Sequence, residues 1–328
     1  CTRVLWAVRL WDETDACGAW SKASFETGLP AGVPWQAKWI TGGYRPKRNA
    51  RYPVDCFKKT FTFTGARKAR LYITACGLYE ARLNGQRVGR FVLAPGITDY
   101  RRRVQYQSYD VTGLLQGGAN TLEVQLADGW YRGSCGAWGL RNQYGTETKL
   151  IAQLIMTNED GSTESVCTDE SWQWSNDGPI RLADNKDGER VDARKKPGYA
   201  GRARLTSHAV IPSAANNVPV VERERLSAAL ITTPKGKTVL DFGQNIAGYI
   251  QFDTEAQAGR GITLRFGELL DSQGEFTQRN IQLTTKHRTT PLQQIAYICR
   301  DGQNAYRTTF AIFGFRYVLV ESDVPIRP

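Results

Sequence analysis

The sequence predicts an all-β protein made of tandem jelly-roll or β-sandwich domains. Two observations carry this. The dominant hydrophobic period is two: Leu71, Ile73 and Ala75 alternate with Tyr72 and Thr74, and Leu122, Val124 and Leu126 alternate with Glu123 and Gln125, as strands with one face toward a core require. Turn signals then punctuate the chain at Asn84-Gly85, Gly117-Gly118, Asp160-Gly161, Asp177-Gly178-Pro179, Gln273-Gly274 and Asp301-Gly302. Many short strands between regular turns are the pattern of sandwiches and jelly rolls. Helical periodicity is scarce. Only residues 221–230 offer a short helical stretch, and no helix is assigned there.

In chain order, Trp6, Trp11, Trp20, Trp35 and Trp39 crowd the first forty residues. Trp6, Val8 and Leu10 alternate as in a half-buried strand, and Trp11 and Trp20 read as packing anchors before sugar platforms. GLPAGVP at 28–34 reads as a linker. Asn84-Gly85 is a hairpin signal, because both residues accept the positive φ of a type I′ turn. A two-residue loop there pairs Leu83 with Gln86 and Ala81 with Val88. IPSAANNVP at 211–219 is a second polar, proline-bounded break, and the apolar run Val318-Leu319-Val320 reads as a fully buried strand. The breaks divide the chain into 1–32, 33–212 and 213–328, a short lead-in and two segments of domain size.

At 328 residues the chain is long enough for several cores. A net charge of +11 suggests a polyanion partner, but the basic residues are spread, and the densest cluster, Arg101-Arg102-Arg103, directly follows a turn. A solvated surface explains them, no nucleic-acid motif is present, and nucleic acid is not read as a partner. No run of about 18 apolar residues exists to span a membrane. The seven cysteines are widely spaced and form no CxxC, and His208 and His287 stand alone. Neither a disulfide framework nor a zinc site is indicated. Free thiols lean toward a reducing, cytoplasmic compartment. The chain opens at Cys1 in mid-strand fashion, which reads as a piece of a longer polypeptide.

Few residues advertise chemistry. Glycoside hydrolysis needs two carboxylates in separate roles. Asp99, Asp128, Glu189, Asp192 and Glu268 are available, but none has a marking context, and neither G-x-S-x-G nor a phosphate-binding glycine loop occurs. ADNKDGERVDAR at 183–194 imitates a calcium loop with Gly188 at the sixth position, yet Ala183 and Arg194 occupy the first and twelfth. An irregular calcium site on Asp184, Asp187 or Asp192 stays open. A turn with an Arg194–carboxylate pair is favoured. LADGWYRGSCGAWGLRNQYG at 126–145 is the most suggestive loop. Asp128, Trp130, Tyr131, Trp138, Asn142 and Tyr144 are the sugar-binding candidates, supplying polar groups and stacking faces. Alternatively, the glycines let these aromatics fold back on the sheet. No catalytic residue and no metal ligand is assigned.

Several stretches together carry a resemblance. WQAKWI at 35–40, ARLYITACGLYEARLNGQRVG, LAPGITDY, DGWYRG and DGERVDAR, in this order, resemble the amino-terminal β-domain of bacterial alpha-L-rhamnosidases. DFGQNIAGY, FGELLDSQG and FGFRY resemble the concanavalin-like sandwich of the same enzymes. WAVRLWD and WSKASFETGL look like the last strands of a fibronectin-type-III-like module. Ile97 departs from the aromatic expected at its position. The resemblance implies that catalysis resides in a following (α/α)6 barrel outside this chain. It further implies a non-catalytic role scaffolding that barrel, rhamnosylated small molecules or glycans as ligands, and calcium in some relatives at ligands not placed here. The competing readings are a stand-alone carbohydrate-binding sandwich protein and, ranked last, a basic polyanion binder.

Overall fold

The computed structural model describes residues 2–29, 35–48, 50–65 and 67–325. It forms two compact units, Cys1–Gln36 and Ala37–Pro328. Most of the expected 28–34 linker, residues 30–34, lies outside the described residues, as does Cys1.

The first unit is an antiparallel ribbon of Arg3–Val8 and Ser21–Glu26, in register from Arg3↔Glu26 to Val8↔Ser21. The expected alternation is present, but a two-stranded ribbon has no second layer to cover it, and Trp6 is 46% exposed. Trp11 and Trp20 stack on the Arg9 guanidinium, at 4.7 and 5.2 Å from the ring centroids. Both indoles stay 56% exposed, so neither anchors a buried core.

The second unit contains two large sheets that share one core. One runs Arg204–Leu205, Ile40–Thr41, Lys149–Thr157, Lys68–Cys76, Gln105–Asp110 and Ser213–Ala214. The other runs Gly201–Arg202, Gln173–Ser175, Asp55–Phe63, Gly118–Ala127, Leu78–Leu83 and Gln86–Arg87. Leu71, Ile73, Leu150 and Leu154 of the first pack with Phe57, Leu83, Leu122 and Val124 of the second. Alternation set these faces, since residues two apart on a strand point the same way. The strand Lys68–Cys76 is also covered on its other face: Tyr72 and Thr74 are fully buried, Tyr72 edge-on to Tyr106 and Thr74 Oγ1 donating to the Gln105 carbonyl at 2.7 Å.

The Asn84-Gly85 turn is as read. Both residues have positive φ, +52° and +78°. Leu83 pairs with Gln86, and the Val88 N–H donates to the Ala81 carbonyl at 2.9 Å. Nothing lies within 4 Å of a Cβ built on Gly85, so strain alone opposes a side chain there. Gly85→Val is expected to cost about 1–3 kcal/mol in a denaturant titration; an unchanged midpoint would refute the turn's conformational demand.

A third sheet runs Ile180–Asp184, Gly188–Asp192, Gln294–Ile298, Gly261–Gly267, Phe313–Ser322, Thr238–Gly248 and Ala229–Thr232. The ribbon Gln251–Ala256 with Gly302–Arg307 contributes Phe252 and Tyr306 to the core beneath it, alongside Phe266, Phe313, Phe315 and Val318. Val318 and Leu319 are buried, but Val320 is half-buried and the strand's end is exposed, so the apolar run is not the fully buried strand expected. Residues 180–192 enter this sheet by parallel pairing of Gly188–Asp192 with Gln294–Ile298, a connection without local sequence signal. Residues 221–228 form no helix, and Ala229–Thr232 is a strand.

Candidate functional site

The loop after Gly118–Ala127 begins with one helical turn, Gly129–Arg132. Gly129 makes the reversal possible at φ +52°, where a Cβ would lie 2.7–2.9 Å from Gly77 and Leu78. The turn carries Asp128 and Arg132 four residues apart, on one face. Both are buried, and Asp128 accepts from Arg132 Nε at 2.8 Å and from Arg141 Nη2 at 2.5 Å. Arg132 reaches on to the Tyr44 hydroxyl at 3.0 Å, and Tyr44 donates to Asp55 Oδ2 at 3.3 Å. Asp55 also accepts from Trp174 Nε1 at 2.9 Å and from Thr148 Oγ1 at 3.4 Å.

This places the six candidates unequally. Asp128 is committed to two guanidinium groups. Tyr131 is buried, 5.2 Å edge-on to Tyr100 and 6.4 Å from Tyr144 in a stacked pair. Trp130 packs against the core of the third sheet, and its indole N–H lies 2.9 Å from the Asn185 amide, oriented to accept it. Asn142 donates to the Arg48 carbonyl at 2.8 Å from a left-handed backbone, φ +61°. Tyr144 is half-buried, with Arg101 5.3 Å over its ring. Trp138 is 38% exposed, at the tip of the loop. The loop thus gathers Asp128, Tyr131 and Tyr144 into packed or paired positions and leaves Trp138 outward.

Asp55 was not singled out in the sequence, since a lone aspartate at a strand start carries no signal. Burial in the sandwich pushes its carboxyl up from 3.8 to about 6, opposed by Arg132 and by the Trp174 and Tyr44 hydrogen bonds. Because the folded value lies above the unfolded one, its contribution to stability is fully present below 3.8 and is lost as pH rises through about 6. The fall across that window should be roughly 2–3 kcal/mol. Asp55→Asn should flatten it, read as the difference in denaturant midpoint between parent and variant across that window. An identical slope in both proteins would exclude Asp55 as its source.

The 183–194 loop is a tied turn. Arg194 grips Asp192 through Nε and Nη2, both at 2.8 Å, which holds the Asp192 carboxyl below its usual range. Asp184 accepts from the Ser134 N–H and hydroxyl at 3.0 and 2.9 Å, and Asp187 pairs with Arg51 at 2.5 Å. Among the described residues, no three His, Cys, Asp or Glu side chains converge as metal ligands. The described cysteines are free thiols.

The two motifs of the third sheet meet across strands. Asp241 of DFGQN forms a bidentate pair with Arg316 of FGFRY at 2.8 and 3.0 Å, and accepts from the Gly243 N–H at 2.8 Å. Between Asp241↔Tyr317 and Ile246↔Phe315 the register slips: five positions on one strand match two on the other. Gly243, at φ +77°, makes this bulge possible. A glycine inside a strand pattern was the available signal for it.

The geometry first defines a class: tandem β-sandwiches whose loop ends are fixed by arginine–carboxylate pairs. A family model described as the alpha-L-rhamnosidase N-terminal domain matches residues 65–231, and one described as the bacterial alpha-L-rhamnosidase concanavalin-like domain matches residues 231–325. The chain belongs to the alpha-L-rhamnosidase family, of which it is the N-terminal part. It is 37% identical to the Streptomyces avermitilis alpha-L-rhamnosidase over 94% of this chain and 31% of that protein. The crystal structure of native alpha-L-rhamnosidase from Aspergillus terreus matches 98% of this chain and 39% of its own, at TM-score 0.89 and 32% identity. That of the Streptomyces avermitilis enzyme complexed with L-rhamnose matches 85% of this chain and 28% of its own, at TM-score 0.77 and 37% identity. The chain spans about a third of the length of the curated relatives it matches.

Proposed function

We propose that this chain is the ancillary, non-catalytic portion of an alpha-L-rhamnosidase. It scaffolds a catalytic barrel of the same polypeptide that releases terminal alpha-L-rhamnose from rhamnosylated small molecules or glycans. The observation that carries this is the commitment of its carboxylates. Asp128 is held by Arg132 and Arg141, Asp192 by Arg194 and Asp99 by Arg101. Buried Glu189 accepts from Tyr306 Oη at 2.7 Å and from the Thr309 N–H at 2.9 Å. Glu268 accepts from Asn280 Nδ2 at 2.7 Å. An inverting glycosidase needs an acid and a base free to exchange protons with substrate and water, and these five serve the fold instead. The segments 33–212 and 213–328 are the two scaffolding domains in this reading, with 1–32 a fibronectin-like remnant.

The purified 328-residue chain should show no turnover of p-nitrophenyl alpha-L-rhamnoside. Turnover that disappears in an Asp128 or Glu189 variant which remains folded would overturn the proposal. Sugar binding is the second function we assign. In the 126–145 loop it would use Trp138, with Asn142 and Tyr144 as further partly exposed groups of the loop. Calorimetry with L-rhamnose, with and without calcium, on the parent and on Trp138→Ala tests that assignment.

A further inference from the structure

The second unit contains a cleft of about 720 Å³ that none of the loop candidates lines. Its roof is an extended strap, Val220–Leu226, and its floor runs from the bulge through Tyr249 into the strand Gln251–Ala256. The volume is that of a small-molecule pocket, and such pockets favour the junction of two folding segments. Here the roof belongs to the stretch matched by the N-terminal family model and the floor to the concanavalin-like one.

Three features give the cleft a built character. The strap is anchored at both sides: the Val92 N–H donates to the Val220 carbonyl at 2.9 Å, and the Tyr249 hydroxyl donates to Glu222. Arg225 holds the other Glu222 oxygen at 3.3 Å. Tyr249 is itself backed by Arg307, 5.8 Å over its ring, and Arg307 is paired with Glu80. The bulge places Phe242 and Gln244 in the cleft wall, and bulges commonly re-aim side chains in this way beside functional sites. The Asp241–Arg316 pair borders the bulge. The DFGQNIAGY motif therefore lines the cleft, whereas FGFRY bears on it only through the Arg316 pair.

The lining chemistry selects the ligand. Phe242, Ile246, Val221, Leu226 and Ile312 provide apolar faces. The charged lining is net acidic: Glu222, Glu224, Asp253 and Glu255 outnumber Arg223 and Arg225, Arg225 is held by Glu222, and the amides of Gln244, Gln251 and Gln303 join them. Hydroxyl groups donate to such acceptors, whereas an anionic ligand would meet like charge. We infer that the cleft between the strap Val220–Leu226 and the bulged strand Thr238–Gly248 binds a neutral glycoside, its hydroxyls on the carboxylates and amides and its apolar part on Phe242 and Ile246. This rests on the proposed role in rhamnoside metabolism but assigns a site separate from the 126–145 loop.

Calorimetry of the 328-residue chain with p-nitrophenyl alpha-L-rhamnoside as probe tests it. Saturable binding at the cleft is expected. Ala247→Trp, which fills the cleft from an exposed strand position, and Gln244→Ala, which removes a wall amide, should each weaken binding by about tenfold or more. Ile211→Ala, at an exposed position outside both the cleft and the 126–145 loop, should bind as the parent does. Circular dichroism and melting curves show whether each variant is folded, and exposed Gln244 keeps the test open if Ala247→Trp is not. Parent-like binding in folded Gln244→Ala and Ala247→Trp, or no saturable binding by the parent, overturns the inference. Loss of binding in Trp138→Ala alone assigns the sugar to the loop, which overturns the cleft while sustaining the proposed sugar-binding role.

Discussion

Asp128→Ala should be among the most destabilising single changes in this protein, at about 3–5 kcal/mol. Arg132 has a side chain only 3% exposed, and it is paired to Asp128 at 2.7 Å. Arg141, 15% exposed, takes the other carboxylate oxygen. Removing the carboxylate leaves two guanidinium groups without their counter-charge, and the buried one cannot recover full hydration. The damage should spread, because Arg132 also orients Tyr44, and Tyr44 touches Asp55. Urea titration of the parent, Asp128→Asn and Asp128→Ala should give a graded series, since asparagine keeps one acceptor but no charge. A near-parental midpoint for Asp128→Ala would show that the triad contributes little. It would also restore Asp128 as a free polar group for ligand binding, which the triad at present denies it.

Gly188→Ala should be comparably severe, for a steric reason. Gly188 sits at φ +112°, and a Cβ there would lie 1.8 Å from the Gln294 carbonyl oxygen, 2.8 Å from its carbonyl carbon and 3.1 Å from its nitrogen. All three are backbone atoms in the parallel pairing of Gly188–Asp192 with Gln294–Ile298, so no rotamer change relieves the clash. The strand would have to separate from its neighbour. That would pull the adjacent Glu189 away from the Tyr306 hydroxyl and the Thr309 N–H, which it accepts from in the core. Backbone strain of about 1–3 kcal/mol is the lower bound, and the lost pairing should carry the total beyond ~3 kcal/mol. Loss of soluble protein, or a large drop in melting temperature with new proteolysis near residue 294, is the expected result. Gly85→Val is the matched control: it carries positive-φ strain with open space around it. If Gly188→Ala melted no lower than Gly85→Val, the close approach would not be felt in solution.

The sequence determined whatever depends on neighbours along the chain. Period-two alternation fixed which faces of Lys68–Cys76 and Gly118–Ala127 turn inward, because successive side chains on a strand point to opposite sides. Asn84-Gly85 fixed a hairpin and its register through the φ values the two residues accept. The Arg194–Asp192 pair needed only a turn of two residues. The combined motifs identified the family, since their order survives when each alone is weak.

Tertiary structure decided everything that joins residues far apart. Asp128 read as a polar group available to sugar; Arg141, thirteen residues on, and burial beneath the loop turned it into half of a structural triad. Asp55 gained its raised pKa from burial in the sandwich, held in check by Arg132, Trp174 and Tyr44, which the fold brings to it from elsewhere in the chain. Residues 180–192 joined the sheet of the later segment through a parallel pairing, and parallel pairing leaves no hairpin signal to read. The cleft needed the strap and the bulge brought to opposite sides of one space. Burial, pairing and concavity are properties of convergence in three dimensions, and a linear chain records only the side chains that will converge.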